Sequence, residues 1–353
     1  MPTYVLEGGS SVTLPAKPLT LRVQGGGAAE IRLEAWRDGH LDDTALSPMP
    51  GMLVLPRVTA GVEIRVVPLR QRTFASATVI ALAATIEVHG DPDPERAVMQ
   101  GVDLSGLAQR DLLNITPDPT GLRLTALGVV VDVPLPPLAA RARDIARELL
   151  GTERVDADDA RALLLRVDAS ASMRPHVLDG SVGAALEVLI GVTRVTSADE
   201  PVTAEVGVLA PQAVPADTVA DVPRAVHETI VGLPLLTGFR SATPLSGHQR
   251  GALLCVLSDG VPADLPSDSP AALVVIATPS AREVLTSRAP DATGWIPVGA
   301  TQSAYAILTE NEPALRETVW GILRALLPAQ SRLAPRLADG AQAVDVTMVR
   351  ARY

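Results

Sequence analysis

The pattern of apolar and polar positions changes character partway along the chain. Through about residue 90, short runs occur, several of them alternating, as in Glu30-Ile31-Arg32-Leu33-Glu34-Ala35, and glycine-bearing breaks such as Gly8-Gly9, Gly25-Gly26-Gly27, Asp38-Gly39 and Pro50-Gly51 separate them. Period-two alternation between turns predicts half-buried strands at 4–7, 11–14, 19–23, 30–36, 52–55, 62–67 and 78–88. A hairpin of 111–116 with 122–133 follows. Strands so numerous and so closely spaced predict a β-sandwich. The segment 90–106, with Asp91-Pro92-Asp93-Pro94 and two glycines, reads as a loop or short irregular helix. Leu138, Ala142, Ile145 and Leu149 then recur at helical spacing and predict an amphipathic helix. That helix is taken as the end of a first domain spanning 1–150.

Beyond a polar, acidic linker at 151–160 the runs become continuous. Segments 163–168, 203–209, 253–257, 271–277 and 295–298 read as strands buried on both faces. Helical patterns lie between or after them at 177–192, 219–233, 281–287 and 313–327. This alternation predicts an α/β, doubly wound parallel sheet over 161–328. The remaining tail, 329–353, contains an alternating run at 343–349 that is expected to return as a strand to the first domain.

Composition narrows the function classes. Hydrophobic residues make up 47% of the 353-residue chain, ample for two cores. Aromatics make up only 2%, which argues against a stacking surface for single-stranded nucleic acid. The net charge of −10 is spread over both halves, so neither is a basic footprint for nucleic acid. One cysteine, Cys255, rules out an internal disulfide and sits in a buried-strand pattern. No apolar run reaches the ~18 residues a membrane span needs, and the first residues lack a secretory pattern; a cytoplasmic protein is expected.

The candidate chemistry lies where 163–168 ends. Asp168-Ala169-Ser170-Ala171-Ser172 places one carboxylate and two hydroxyls on a short loop at a strand's carboxyl end, where open α/β sheets bind ligands. An oxygen-only face suits a hard cation such as Mg²⁺ better than zinc. The alternative is that Asp168 and Ser170 merely cap the following helix. No phosphate loop, nucleophile elbow or spaced histidine metal pair occurs, so no enzyme activity is expected. A metal-dependent phosphohydrolase and an assembly subunit with a degenerate metal site remain as alternatives.

The pattern Asp168-x-Ser170-x-Ser172 resembles the metal-ion-dependent adhesion site of von Willebrand factor A domains. With Ser172-Met173-Arg174-Pro175 and Asp179-Gly180-Ser181-Val182, it resembles the version found in bacterial tellurium-resistance and stress-response proteins. The resemblance extends to Ala242-Thr243-Pro244-Leu245 and to Ser258-Asp259-Gly260-Val261-Pro262. It implies Mg²⁺ held by Ser170, Ser172 and Thr243, with Asp168 and Asp259 completing the site and one position open to a partner's acidic residue. The first domain resembles the TerD fold through Leu6-Glu7-Gly8-Gly9-Ser10-Ser11-Val12-Thr13-Leu14 and Gly121-Leu122-Arg123-Leu124-Thr125-Ala126-Leu127-Gly128. That family binds Ca²⁺ through acidic loops, which only Asp42-Asp43, preceded by Asp38, resembles here. The implied role is a Mg²⁺-dependent protein-binding adaptor in a tellurite or chemical stress response or a multi-subunit defence assembly.

Overall fold

The computed structural model describes residues 3–25, 27–86, 94–127, 134–156, 158–197, 202–207, 210–241, 252–265, 271–290, 292–327 and 333. The chain divides into two compact units, Met1–Val133 and Pro134–Tyr353.

In the first unit, strands β1 (Thr3–Val5), β2 (Ser11–Leu14), β3 (Leu19–Gln24), β4 (Ile31–Arg37), β5 (His40–Leu41), β6 (Met52–Leu55), β7 (Val62–Pro68), β8 (Val79–Ile86), β9 (Arg96–Asp103), β10 (Arg110–Asp118) and β11 (Gly121–Ala126) form two sheets. Their orders are β1-β9-β8-β3-β6 and β2-β11-β10-β7-β4-β5. Period-two alternation explains the packing. In β4, Ile31, Leu33 and Ala35 point inward while Arg32 is exposed. Side chains of both sheets, Leu19 and Leu21 with Ile64 and Ile115 among them, share one core. Segment 90–106 departs from expectation, because Arg96–Asp103 is a strand paired with both β1 and β8. Its alternation is broken by Gly101, at φ 67°, and by a register shift opposite Ile80 and Leu82. A bulge of this kind hides the period from the sequence while Ala97, Met99 and Val102 still reach the core.

The second unit carries strands β12 (Leu163–Asp168), β13 (Val202–Gly207), β14 (Pro211–Ala213), β15 (Leu253–Ser258), β16 (Ala272–Ala277) and β17 (Gly294–Pro297) in the order β14-β13-β12-β15-β16-β17. All pairs are parallel except β13 with the short β14. Helices α1 (Pro137–Leu150), α2 (Arg174–Leu178), α3 (Ser181–Thr196), α4 (Val222–Gly232), α5 (Pro279–Thr286), α6 (Ala304–Glu310) and α7 (Glu312–Leu326) surround it. One face, with Leu165, Val167, Leu257 and Val274, packs in the same core as α1, α3, α4 and α7. The other, with Val256, Leu273 and Val275, is covered more thinly by Ala281 and Leu285 of α5 and by Phe239, Val261 and Leu265. Both faces are covered, as the continuous apolar runs predict. Among the described residues no single helix is long and apolar enough to cross a membrane.

The helix assigned to the end of the first domain belongs to the second unit. Leu138, Ala139, Ala142, Ile145 and Leu149 of α1 lie in the parallel-sheet core. The reason is a close approach: a Cβ on Gly191 of α3 would stand 2.1 Å from the carbonyl oxygen of Ala139 and 2.9 Å from the Ala142 methyl. Small residues on both helices allow that spacing, and the boundary therefore falls before the proline run at 134 rather than after residue 150. The tail run at 343–349 lies outside the described residues.

Candidate metal and ligand cleft

Parallel strands counted alone run 2-1-3-4-5, with β12 first and β15 third. The chain leaves β12 toward one edge and returns at β15 toward the other, so the gap between their carboxyl ends is the topological switch point. Connections diverge there and leave a crevice. A cleft of about 350 Å³ occupies it. Asp168, Ser170, Ser172, Ser258 and Asp259 contribute its polar lining, and Ala171, Phe239, Val261 and Pro262 contribute apolar surface.

Asp168 is the last residue of β12 and lies one step beyond the Val167–Leu257 pair, level with Ser258. It is 2% exposed. One carboxylate oxygen accepts the backbone N–H of Ser170 at 2.7 Å, and the other accepts the Ser258 hydroxyl at 2.7 Å. Burial pushes the Asp168 carboxyl up, the Ser170 N–H and Ser258 hydroxyl oppose that shift, and the nearby Asp259 carboxylate adds to it. Ser258 in turn accepts the Gly260 N–H at 3.3 Å. The two strand ends are thus tied through one carboxylate.

Ser170 does not cap the turn that follows, whereas the Asp168 side chain holds the Ser170 N–H at its entrance. Ser170 occupies the position before the short 3₁₀ turn Ala171–Met173, yet its side chain makes no capping hydrogen bond. Its hydroxyl instead lies 3.1 Å from that of Ser172. The two hydroxyls form a hydrogen bond with each other, and the separation of about 3.0 Å between neighbouring ligands of an octahedral Mg²⁺ is compatible with the same spacing. Both are hard oxygen donors, and Asp168, with each oxygen already accepting a bond, orients the loop. The donor set fits a hard cation. Among the described residues no group of three or more His, Cys, Asp or Glu side chains is placed to hold a metal.

Asp259 follows β15 and lines the same cleft, half-buried. Thr243 lies outside the described residues. What precedes it is well anchored: Ser241 donates its N–H and hydroxyl to Asp264 at 3.0 and 2.9 Å, and its carbonyl accepts Arg166 Nη1 at 2.7 Å. Arg166, 2% exposed, also pairs with Glu205 of β13 at 3.0 Å. The Ala171 N–H bonds the Leu236 carbonyl at 2.8 Å, so the segment after α4 borders the serine loop.

Several functional contacts escape sequence reasoning. Ser258 is legible as part of the Ser258-Asp259-Gly260 turn but not as the partner of Asp168. Arg166 reads only as a polar interruption of a buried strand. A buried arginine demands a counter-ion, and Glu205, inside the apolar run 203–209, was the available signal.

The acidic loop of the first unit is arranged differently. Asp42 accepts the Thr44 hydroxyl at 2.6 Å and N–H at 3.0 Å on one oxygen, and Arg37 at 2.7 Å on the other. The Thr44 hydroxyl is the largest of the influences that, despite some opposing burial, hold its carboxyl below the usual range. This is a turn closed on itself, with Asp43 exposed beside it. Cys255 is fully buried, and burial pushes its thiol up to about 12, so it packs as a small apolar residue.

Fold and cleft together define an α/β protein with an oxygen-lined crevice at the switch point of a parallel sheet. No family model matches the chain, and no curated protein matches it either.

Proposed function

We propose that the second unit is a Mg²⁺-dependent adhesion module of the von Willebrand factor A kind that captures an acidic side chain of a protein partner. The observation that carries this reading is the pair of Ser170 and Ser172 hydroxyls, 3.1 Å apart, above a buried Asp168 whose two oxygens are already engaged. Neutral hydroxyls contacting the ion leave its positive charge largely unneutralised, which supplies attraction for an outside carboxylate. Ser170 and Ser172 hold the ion, Asp168 fixes the serine loop, and Asp259 accepts from water around it. Thr243 is the further ligand that the resemblance implies. No step of bond breaking is assigned to these residues, and the module is a binder rather than an enzyme.

The first unit, on its resemblance to TerD domains, adds a second contact surface, and the protein serves as an adaptor in a bacterial tellurite or chemical stress response or a related defence assembly. The test is calorimetric titration of the metal-stripped chain with MgCl₂. One saturable site is expected, lost in Ser170→Ala/Ser172→Ala while the far-UV spectrum is kept. Absence of saturable uptake, or uptake undiminished in the double variant, would sink the reading.

A further inference from the structure

We infer that the first unit holds a binding pocket for a free α-amino acid with an apolar side chain, at the end of the sandwich where β4 begins and β7 ends. The inference concerns that unit alone and is independent of the metal reading. A cavity of about 280 Å³ lies between the 3₁₀ turn Ala28–Glu30 and the segment 69–78, which joins β7 to β8. Backbone bonds fix both walls. The Leu69 N–H donates to the Glu30 carbonyl at 2.8 Å, which ties the start of the segment to the turn. Phe74 donates its N–H to the Leu107 carbonyl at 2.8 Å and accepts the Gly106 N–H at 3.1 Å, and the Thr78 carbonyl accepts the Leu104 N–H at 2.8 Å. Ala77 stands at φ 61°, a left-handed conformation that a non-glycine residue keeps only where its surroundings impose it. The pocket is therefore pre-formed, as small-molecule sites usually are.

Its lining divides by chemistry. Ile31 and Phe74 are 1% and 5% exposed, and with Pro68 they supply an apolar floor. Glu30 and Arg70 line the same cavity and are exposed. Among the described residues neither side chain has an ion-pair or hydrogen-bond partner. Opposite charges that share a cavity without pairing leave one place for a cation and one for an anion. An anion alone would face Glu30, a cation alone would face Arg70, and an uncharged apolar molecule would satisfy neither. A molecule carrying both charges beside an apolar body meets all three conditions: its carboxylate goes to Arg70, its ammonium to Glu30 and its side chain over Phe74. The Thr78 hydroxyl donates to the Ala75 carbonyl at 2.6 Å, so toward the cavity it is an acceptor, which suits an ammonium group. A volume just below the ~300 Å³ at which sites for drug-sized ligands begin suits a ligand of about a dozen non-hydrogen atoms, the size of phenylalanine.

The test uses the full chain with labelled isoleucine and alanine methyls, titrated with L-phenylalanine and followed by NMR at Ile31 and Ala75, which line the cavity. Saturable shifts are expected at both methyls with a dissociation constant on the order of 1 mM. Ile296, in the core of the second unit, should not respond. N-acetyl-L-phenylalanine lacks the ammonium charge and phenethylamine lacks the carboxylate. Each is expected to bind about fivefold more weakly, the upper range for an exposed ion pair. Glu30→Gln should weaken L-phenylalanine by that factor and leave N-acetyl-L-phenylalanine unchanged. Arg70→Gln should weaken L-phenylalanine likewise and leave phenethylamine unchanged. Both side chains are exposed, so neither substitution disturbs the core. Absence of saturable shifts at Ile31 and Ala75, equal binding of the three compounds, or affinity for L-phenylalanine unchanged in both variants would each overturn the inference. Tighter binding of either singly charged compound would make the ligand a simple anion or cation and overturn the assignment to an amino acid.

Discussion

At the scale of single residues, burial decides which charges are useful and which are a burden. Asp168 and Arg166 are both nearly inaccessible, and both are compensated by several bonds. Glu187 of α3 is not: one of its carboxylate oxygens is buried with no hydrogen-bond partner among the described residues, and burial raises its pKa. A carboxyl whose folded pKa exceeds its unfolded value opposes folding once it ionises. Removing the charge should therefore stabilise the protein at neutral pH. Glu187→Gln is expected to raise the melting temperature at pH 7 by an amount equivalent to less than about 1 kcal/mol, since the side chain is only partly buried and solvent screens its charge. The gain should shrink as pH falls through the folded pKa and vanish below about 4.3, where both states are protonated. Thermal unfolding of the two proteins across that range checks it; an advantage that persists in acid would point to packing instead of charge.

At the scale of elements, the periodicities located most strands and helices, and two departures show where periodicity loses its force. Strand β9 was hidden because Gly101 shifts its register, so inward residues no longer fall on every second position. Helix α1 was recognised from its spacing but given to the wrong unit, because spacing identifies an apolar face and not what covers it. The information was present in a form that only contacts reveal: without a side chain, Gly191 leaves room for the Ala139 carbonyl and the Ala142 methyl. Leu138, Ile145, Leu149 and Leu150 are all buried. At about 1.5–3 kcal/mol each, their contribution of roughly 6–12 kcal/mol matches the whole stability of an ordinary domain. A chain beginning at Pro134 should accordingly unfold in one cooperative transition, while one beginning at Gly151 should lose that transition. Equal cooperativity of the two in urea denaturation would mean that α1 is dispensable to the core.

At the scale of the whole molecule, a parallel sheet brings together residues that are 90 positions apart in the chain, and that is why the cleft was only half legible. The short motif Asp168-x-Ser170-x-Ser172 can be read locally, as can the turn after β15. That Ser258 would hold Asp168, and that Arg166 would bridge Glu205 to Ser241, follows from the order of strands and not from any one segment. The central claim concerns one position in space, between two hydroxyls. It is tested most directly by anomalous diffraction from crystals of the protein soaked in MnCl₂, since manganese favours the same oxygen ligands as magnesium. The account predicts a single strong peak within about 2.3 Å of both Ser170 Oγ and Ser172 Oγ. A cleft without a peak would contradict it.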